Sequence, residues 1–261
     1  MTGVHCTARA FLLRAVDYGE SDRVLTLLTE TGGKVTVMAR GARRSARRFA
    51  GALEPLALIE VTLSPGRGAL PLLSEAVLLE PHAGLSRGLE RFGAASLVIE
   101  LARECVAESE PEPLVFDLLL RLFHALDDAD VERCRRLALA GALGLLTLAG
   151  TGVGADRCNA CGKAVPPGRK VLFDPGRGGV ICTSCGGGPI VLSAKAAALL
   201  RELSATPADA LPLADAPAPS AIAELERAVQ AFIDCHVPRP PRTRLGGARS
   251  RDGIVDVPGG S

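Results

Sequence analysis

The chain contains no tryptophan and one tyrosine, and aromatic residues make up only 3% of it. Any core must therefore be packed from leucine, valine and alanine. The 48% hydrophobic content supplies them and excludes a chain that is disordered throughout. Long apolar runs are also missing. The longest stretch, Leu137 to Val153, falls short of the roughly twenty residues of a membrane span, is rich in glycine, and is read as a buried helix. The start, MTGVHCTARAFLL, has no cationic head followed by a long apolar run, so no secretory signal is expected and the chain is read as cytoplasmic. Neither a phosphate-loop lysine motif nor G-x-S-x-G is present. Net charge is nearly absent too, at +1.

Against that neutrality, one segment stands out. Between Glu30 and Glu54 lie six cations and no carboxylate: Lys34, Arg40, Arg43, Arg44, Arg47 and Arg48. A concentrated positive patch on a neutral chain points to a polyanion, because arginines that replace counterions on phosphates release them. Arginine also offers planar, bidentate contacts to phosphate. Arg14, Arg23 and Arg67 are secondary candidates. Charge alternates along the chain. Residues 1–80 carry ten basic and eight acidic groups, and residues 81–155 seven and eleven. Residues 156–190 carry five and two, residues 191–236 three and six, and the tail from Val237 five and two. Separate modules with separate partners fit this pattern.

Residues 5–80 read as about five strands: Cys6–Val16, Arg23–Thr29, Lys34–Arg40, Leu56–Leu63 and Leu70–Leu79, with turns at ETGG and SPGRG. A small closed barrel of the OB type removes the exposed edges. The arginine run is then the loop joining the third and fourth strands. DYGESDR is a structured turn, with Asp22 placed to brace Arg23. OB barrels often hold bases on aromatics, but this segment has only Phe11, Tyr18 and Phe49, so backbone contacts should dominate.

Helical spacing takes over after Pro81. Ser86 is a candidate N-cap for a first helix running towards Cys105, and Pro113–Asp128 is a second, strongly apolar helix. Asp130 caps a third, which Gly150 stops; GTGVG is read as a helix terminator, since it does not follow a strand. Two more helical patterns, in LSAKAAALLRELSA and SAIAELERAVQAFIDCHV, follow a cysteine-rich stretch.

Cys158 and Cys161 form one C-x-x-C and Cys182 and Cys185 another, a strong zinc signature. Each pair offers two thiolates from one turn, and Gly162 and Gly186 follow directly to allow the turn. Four thiolates close the shell, so one structural Zn2+ is expected and no catalytic one. The metal would fold a segment too small to fold alone. Cys6, Cys105, Cys134 and Cys235 are read as buried core residues. No constellation assembles an active site, so neither an enzyme nor a small-molecule substrate is expected.

The stretch RAVDYGESDRVLTLLTETGGKVTVMARGARR resembles the N-terminal signature of the RecO family of bacterial DNA repair and recombination mediators. The likeness continues through LEPLALIEVTL, LERFGAASLVIELAREC, FDLLLRLFHAL and the zinc module, to about residue 245, with VPRPPRTR as a departure. The resemblance implies an α+β multidomain chain. Residues 1–80 would be the OB-fold, 81–155 and 191–237 the two parts of a helical domain, and 156–190 an inserted zinc finger; 238–261 is read as a disordered basic tail. It implies sequence-independent binding of single- and double-stranded DNA, annealing of complementary strands, and help in loading RecA onto gaps covered by single-stranded-DNA-binding protein, the RecFOR pathway. The implied partners are RecR and the acidic C-terminal tail of single-stranded-DNA-binding protein, with association to the nucleoid during repair. On charge and cysteines alone, a zinc-ribbon RNA-binding or transcription-associated factor fits as well.

Overall fold

The computed structural model describes residues 6–49, 51–66, 68–205 and 218–247. Strands β1 (Cys6–Tyr18), β2 (Asp22–Thr29), β3 (Gly33–Ala39), β4 (Leu58–Ser64) and β5 (Leu72–Glu80) close into a barrel in the order β1-β2-β3-β5-β4. All neighbours are antiparallel except β3 and β5, which meet in parallel at Met38 and Leu72. This is the OB-like closure expected from the strand pattern. Period-two alternation sends Leu25, Leu27, Val37, Ala39, Ile59 and Val61 inwards. A one-turn helix, α1 (Ala46–Phe49), lies between β3 and β4, and Phe49, Ala52 and Leu53 join the barrel interior.

One outer face of the barrel is also buried. In β1, Ala10 to Leu13 are four consecutive buried residues, because Phe11 and Leu13 belong to the helical core while Ala10 and Leu12 belong to the barrel. Phe11 packs on Phe116 and Phe123 with ring centroids 5.1 and 5.3 Å apart, the arrangement aromatic pairs prefer. The register shifts between Leu12 and Arg14, after which β1 runs into solvent.

The helical body comprises α2 (Leu89–Cys105), α3 (Pro113–Asp127), α4 (Val131–Leu148), α5 (Ala194–Ala205) and α6 (Pro219–His236). Asp130 does cap α4, accepting the Arg133 N–H at 2.8 Å, and Gly150 ends it at φ 77°. Ser86 does not cap α2. It sits inside a 3-10 turn, Leu85–Arg87, and donates to the Ala83 carbonyl; the N-cap is Gly88. The turn ahead of α2 is held instead by Asp127, which accepts the N–H groups of Gly84 and Leu85.

Strands β6 (Val171–Asp174), β7 (Gly179–Val180) and β8 (Ile190–Leu192) form a small sheet beside the cysteine pairs. Val171, Phe173, Val180 and Leu192 pack into the helical core, so this module shares its neighbour's interior. The reading of residues 238–261 as a disordered tail is corrected for its first ten residues. Arg244 pairs with Asp234 and Thr243 donates to Glu100 at 2.7 Å; Leu245 is buried, and its N–H reaches Gln230 at 3.0 Å. The prolines that break the helical period steer this segment back across α6. The rest of that tail lies outside the described residues. Among the described residues no helix is long and apolar enough to cross a membrane.

Candidate nucleic-acid interface and thiolate centre

Three N–H···O contacts tie the arginine loop to the β1–β2 turn. Asp22 accepts the Gly41 N–H at 2.8 Å, the Arg43 N–H reaches the Ser21 carbonyl at 3.0 Å, and the Arg43 guanidinium reaches the Glu20 carbonyl at 3.4 Å. Asp22 thus braces the loop and not Arg23, which pairs with Asp17 at 2.9 Å. The Gly41 N–H, first among the causes, holds the Asp22 carboxyl below its usual range. Within the loop, Arg48 donates to the Arg40 carbonyl at 2.6 Å, closing it on itself, and its guanidinium lies 5.0 Å from the centre of the Phe49 ring.

Arg40, Arg43, Arg44 and Arg48 are exposed on this loop, and Arg14 is exposed on β1. Arg43 stands 3.5 Å from Asp17 and Arg44 3.5 Å from Glu20, in solvent-exposed pairs of the kind that contributes little. A phosphate can displace such a carboxylate at small cost. Tyr18 lies at the end of β1 opposite Asp22, with 60% of its surface open. Phe11 and Phe49 are buried, so of the three barrel aromatics only Tyr18 can meet a base. The side chain of Arg47, and Arg67 altogether, lie outside the described residues.

Lys34 is a correction. It does not belong to this surface but to the junction with the helices. Its Nζ donates to the Arg103 carbonyl at 2.8 Å and lies 3.6 Å from Glu108, with the residue 9% exposed. Arg103 is in the last turn of α2, where carbonyls lack helical donors and the dipole is negative, so the ammonium caps that end. The backbone seals the contact, since Ser109 N–H donates to the Lys34 carbonyl at 2.8 Å. Beside it, Gly33 holds φ 70°, and a Cβ there would lie 1.7 Å from the Glu110 carbonyl oxygen. The lysine faces outwards on β3 as its register demands, and the loop after α2 covers it.

The sulfurs of Cys158, Cys161, Cys182 and Cys185 all lie within 4.8 Å of one another. Gly162 at φ 72° and Gly186 at φ 96° take the left-handed turns that follow each pair. Cys161 Sγ and Cys182 Sγ are 3.8 Å apart. A tetrahedral ion with sulfur bonds of about 2.3 Å has edges of about 3.8 Å, so the cluster could hold a metal ion. Electrostatics agree. The Cys182 N–H, donated at 3.3 Å, leads the causes that lower the Cys158 thiol to about 6. Its neighbours, Cys182 and Cys161 foremost, push Cys185 up to about 12, so a cation is needed for all four to ionise together. Of the other cysteines only Cys134 is buried; Cys105 is half-buried and Cys6 and Cys235 are exposed, which corrects the reading of all four as core.

Sequence reasoning missed the carboxylates of the β1–β2 turn as partners of the arginines, although their position in the turn was visible. It also missed a cluster of Glu80, His82 and His124, which only the docking of the barrel on α3 brings together.

Residues 1–82 match the family model described as Recombination protein O N terminal, and residues 87–245 the one described as Recombination protein O C terminal. The DNA repair protein RecO of Anaeromyxobacter sp. strain Fw109-5 is 43% identical over 251 residues, covering 93% of this chain and 94% of that protein. The protein of the same name from Anaeromyxobacter dehalogenans strain 2CP-C is 42% identical over 256 residues, covering 95% and 96%. That of Myxococcus xanthus is 39% identical over 177 residues, covering 68% and 71%. The barrel with its arginine loop, the helical body and the thiolate cluster all fall within the matched segments, and the chain belongs to the RecO family of recombination proteins.

Proposed function

We propose that the chain is a non-catalytic mediator of DNA repair and homologous recombination. It would bind single- and double-stranded DNA without regard to sequence, anneal complementary strands, and assist RecA onto gaps coated by single-stranded-DNA-binding protein. Family membership favours this reading over an RNA-binding or transcription-associated factor. The observation that carries the mechanism is the anchored loop, with exposed Arg40, Arg43, Arg44 and Arg48 beside a single exposed aromatic, Tyr18. Guanidinium contacts to phosphate carry no base preference. With one stacking platform instead of several, the Watson–Crick edges of a bound strand stay free to pair. The weak pairs to Asp17 and Glu20 keep the grip exchangeable, which suits a protein that must release the duplex it makes.

The four cysteines would hold one structural Zn2+, whose closed shell leaves no position for water. When bound, the ion supplies folding free energy to the β6–β8 module. RecR and the acidic tail of single-stranded-DNA-binding protein are the proposed protein partners, and the nucleoid during repair the proposed place of action. The test is annealing of complementary strands coated with single-stranded-DNA-binding protein, with and without alanine at Arg43, Arg44, Arg47 and Arg48. Abolished annealing by a folded variant supports the proposal, and annealing at the unaltered rate overturns it.

A further inference from the structure

Where β5 leaves the barrel, three side chains converge that neither the DNA surface nor the thiolate centre uses. Glu80 is the last residue of β5, His82 lies in the connector to the helices, and His124 is on the last turn of α3. Their ligand atoms all lie within 4.8 Å of one another. His82 Nε2 is 3.6 Å from Glu80 Oε2, and His124 Nε2 is 2.5 Å from the same oxygen.

The state of His82 decides what the cluster can do. Its Nδ1 lies 3.0 Å from the Leu56 carbonyl, an acceptor only, so Nδ1 carries the proton and Nε2 a bare lone pair. The residue is 6% exposed, and Nε2 is buried without a hydrogen-bond partner. A lone pair aimed at a carboxylate, both of them acceptors, is a poor contact unless a positive centre sits between them. Burial disfavours the imidazolium that would supply a proton there. A metal ion satisfies both acceptors at once. The arrangement is that of a ligating imidazole whose other nitrogen is fixed by a backbone carbonyl. The ring is held in place by Phe123, edge-on at 5.5 Å. The bond to Leu56 also joins two non-glycine residues in left-handed conformation, at φ 43° and 68°.

We infer that Glu80, His82 and His124 form a second metal site, for a divalent transition ion of the Zn2+, Co2+ or Ni2+ class, at the junction of barrel and helices. Two imidazoles and one carboxylate select these ions over Mg2+ and Ca2+. Bonds of about 2.0–2.2 Å require donors about 3.4 Å apart. His82 and Glu80 stand near that spacing, and the exposed His124, now hydrogen-bonded to Glu80, would move back by nearly an ångström as the ion replaces that bond. Glu80 and His124 are partly open to solvent, which leaves an entry path and room for water as a further ligand. An ion here would tie β5 and its connector to α3.

The test uses the full-length chain without a histidine tag and with its thiolate-bound ion in place, titrated with Co2+ and followed by visible absorption and metal content. One further equivalent is expected, with the weaker absorption of nitrogen and oxygen ligands and without the intense sulfur-to-cobalt bands. His124→Ala, at an exposed position, should remove that equivalent and leave the thiolate-bound ion untouched; Glu80→Gln should weaken it at least tenfold. No second equivalent in the unaltered chain, or one that His124→Ala and Glu80→Gln both retain, would overturn the inference.

Discussion

Lys34 and Arg40 stand at the two ends of β3, and the barrel uses them in opposite ways. On the side facing the helices, Lys34 is buried under the loop after α2 and capped on a carbonyl. Beyond the other end, Arg40, Arg43, Arg44 and Arg48 are exposed, with Arg43 and Arg44 leaning on the exposed carboxylates of Asp17 and Glu20. A buried cation that donates to a helix end contributes to stability and is covered from an incoming ligand. An exposed cation in a weak pair contributes little to stability and can exchange its partner for phosphate. Equal charge at the two ends of one strand thus goes to cohesion or stays available for binding according to what covers it.

The sharpest break in that contrast is at the loop. Alanine at Arg40, Arg43, Arg44 and Arg48 together should abolish strand annealing and flatten the salt dependence of binding, while thermal unfolding stays close to that of the parent chain. Next in size is Lys34→Ala. It leaves the Arg103 carbonyl without its donor and should cost about 2 kcal/mol in denaturant unfolding, with the salt dependence of DNA binding unchanged. A smaller effect is expected for Asp22→Ala, which releases Gly41 without removing a cation. Affinity should fall a few-fold, and the Gly41 amide should exchange faster with solvent.

Acid should give the smallest effect, and it links the two sides. Asp22, which braces the loop, and Glu30, whose carboxyl the Arg9 guanidinium holds down, both titrate below their ordinary values of 3.8 and 4.5. Groups depressed in the fold contribute stability above the unfolded value and lose it as pH falls through the folded one. Stability should therefore be level from neutral pH to about 4.5 with respect to these two groups, and decline below it. Glu30→Gln should shrink the decline without affecting annealing, because its partner Arg9 lies away from the loop.

Much of the architecture was legible in the sequence because it depends on local pattern. The alternation in KVTVMAR and LALIEVTL marks strands, the spacing of apolar residues marks α3 and α4, and paired cysteines followed by glycine mark a metal knuckle. What was hidden depends on docking. Lys34 faces away from the barrel interior, which in an isolated barrel means solvent; only the loop at Glu108–Glu110 makes it interior. Residues 238–247 look disordered by composition, yet Arg244 and Leu245 find partners on α6. Ser86 has the chemistry of a cap, but Asp127 already holds the turn ahead of α2.

The central claim, that the exposed loop and not the buried lysine binds DNA backbone, is tested most directly by the salt dependence of single-strand affinity for several unrelated sequences. For about five phosphates engaged, the unaltered chain and Lys34→Ala should both give a log–log slope of about −3 to −4, equal across sequences. A slope near zero, a slope that varies with sequence, or one that Lys34→Ala flattens as much as the arginine changes do would contradict the account.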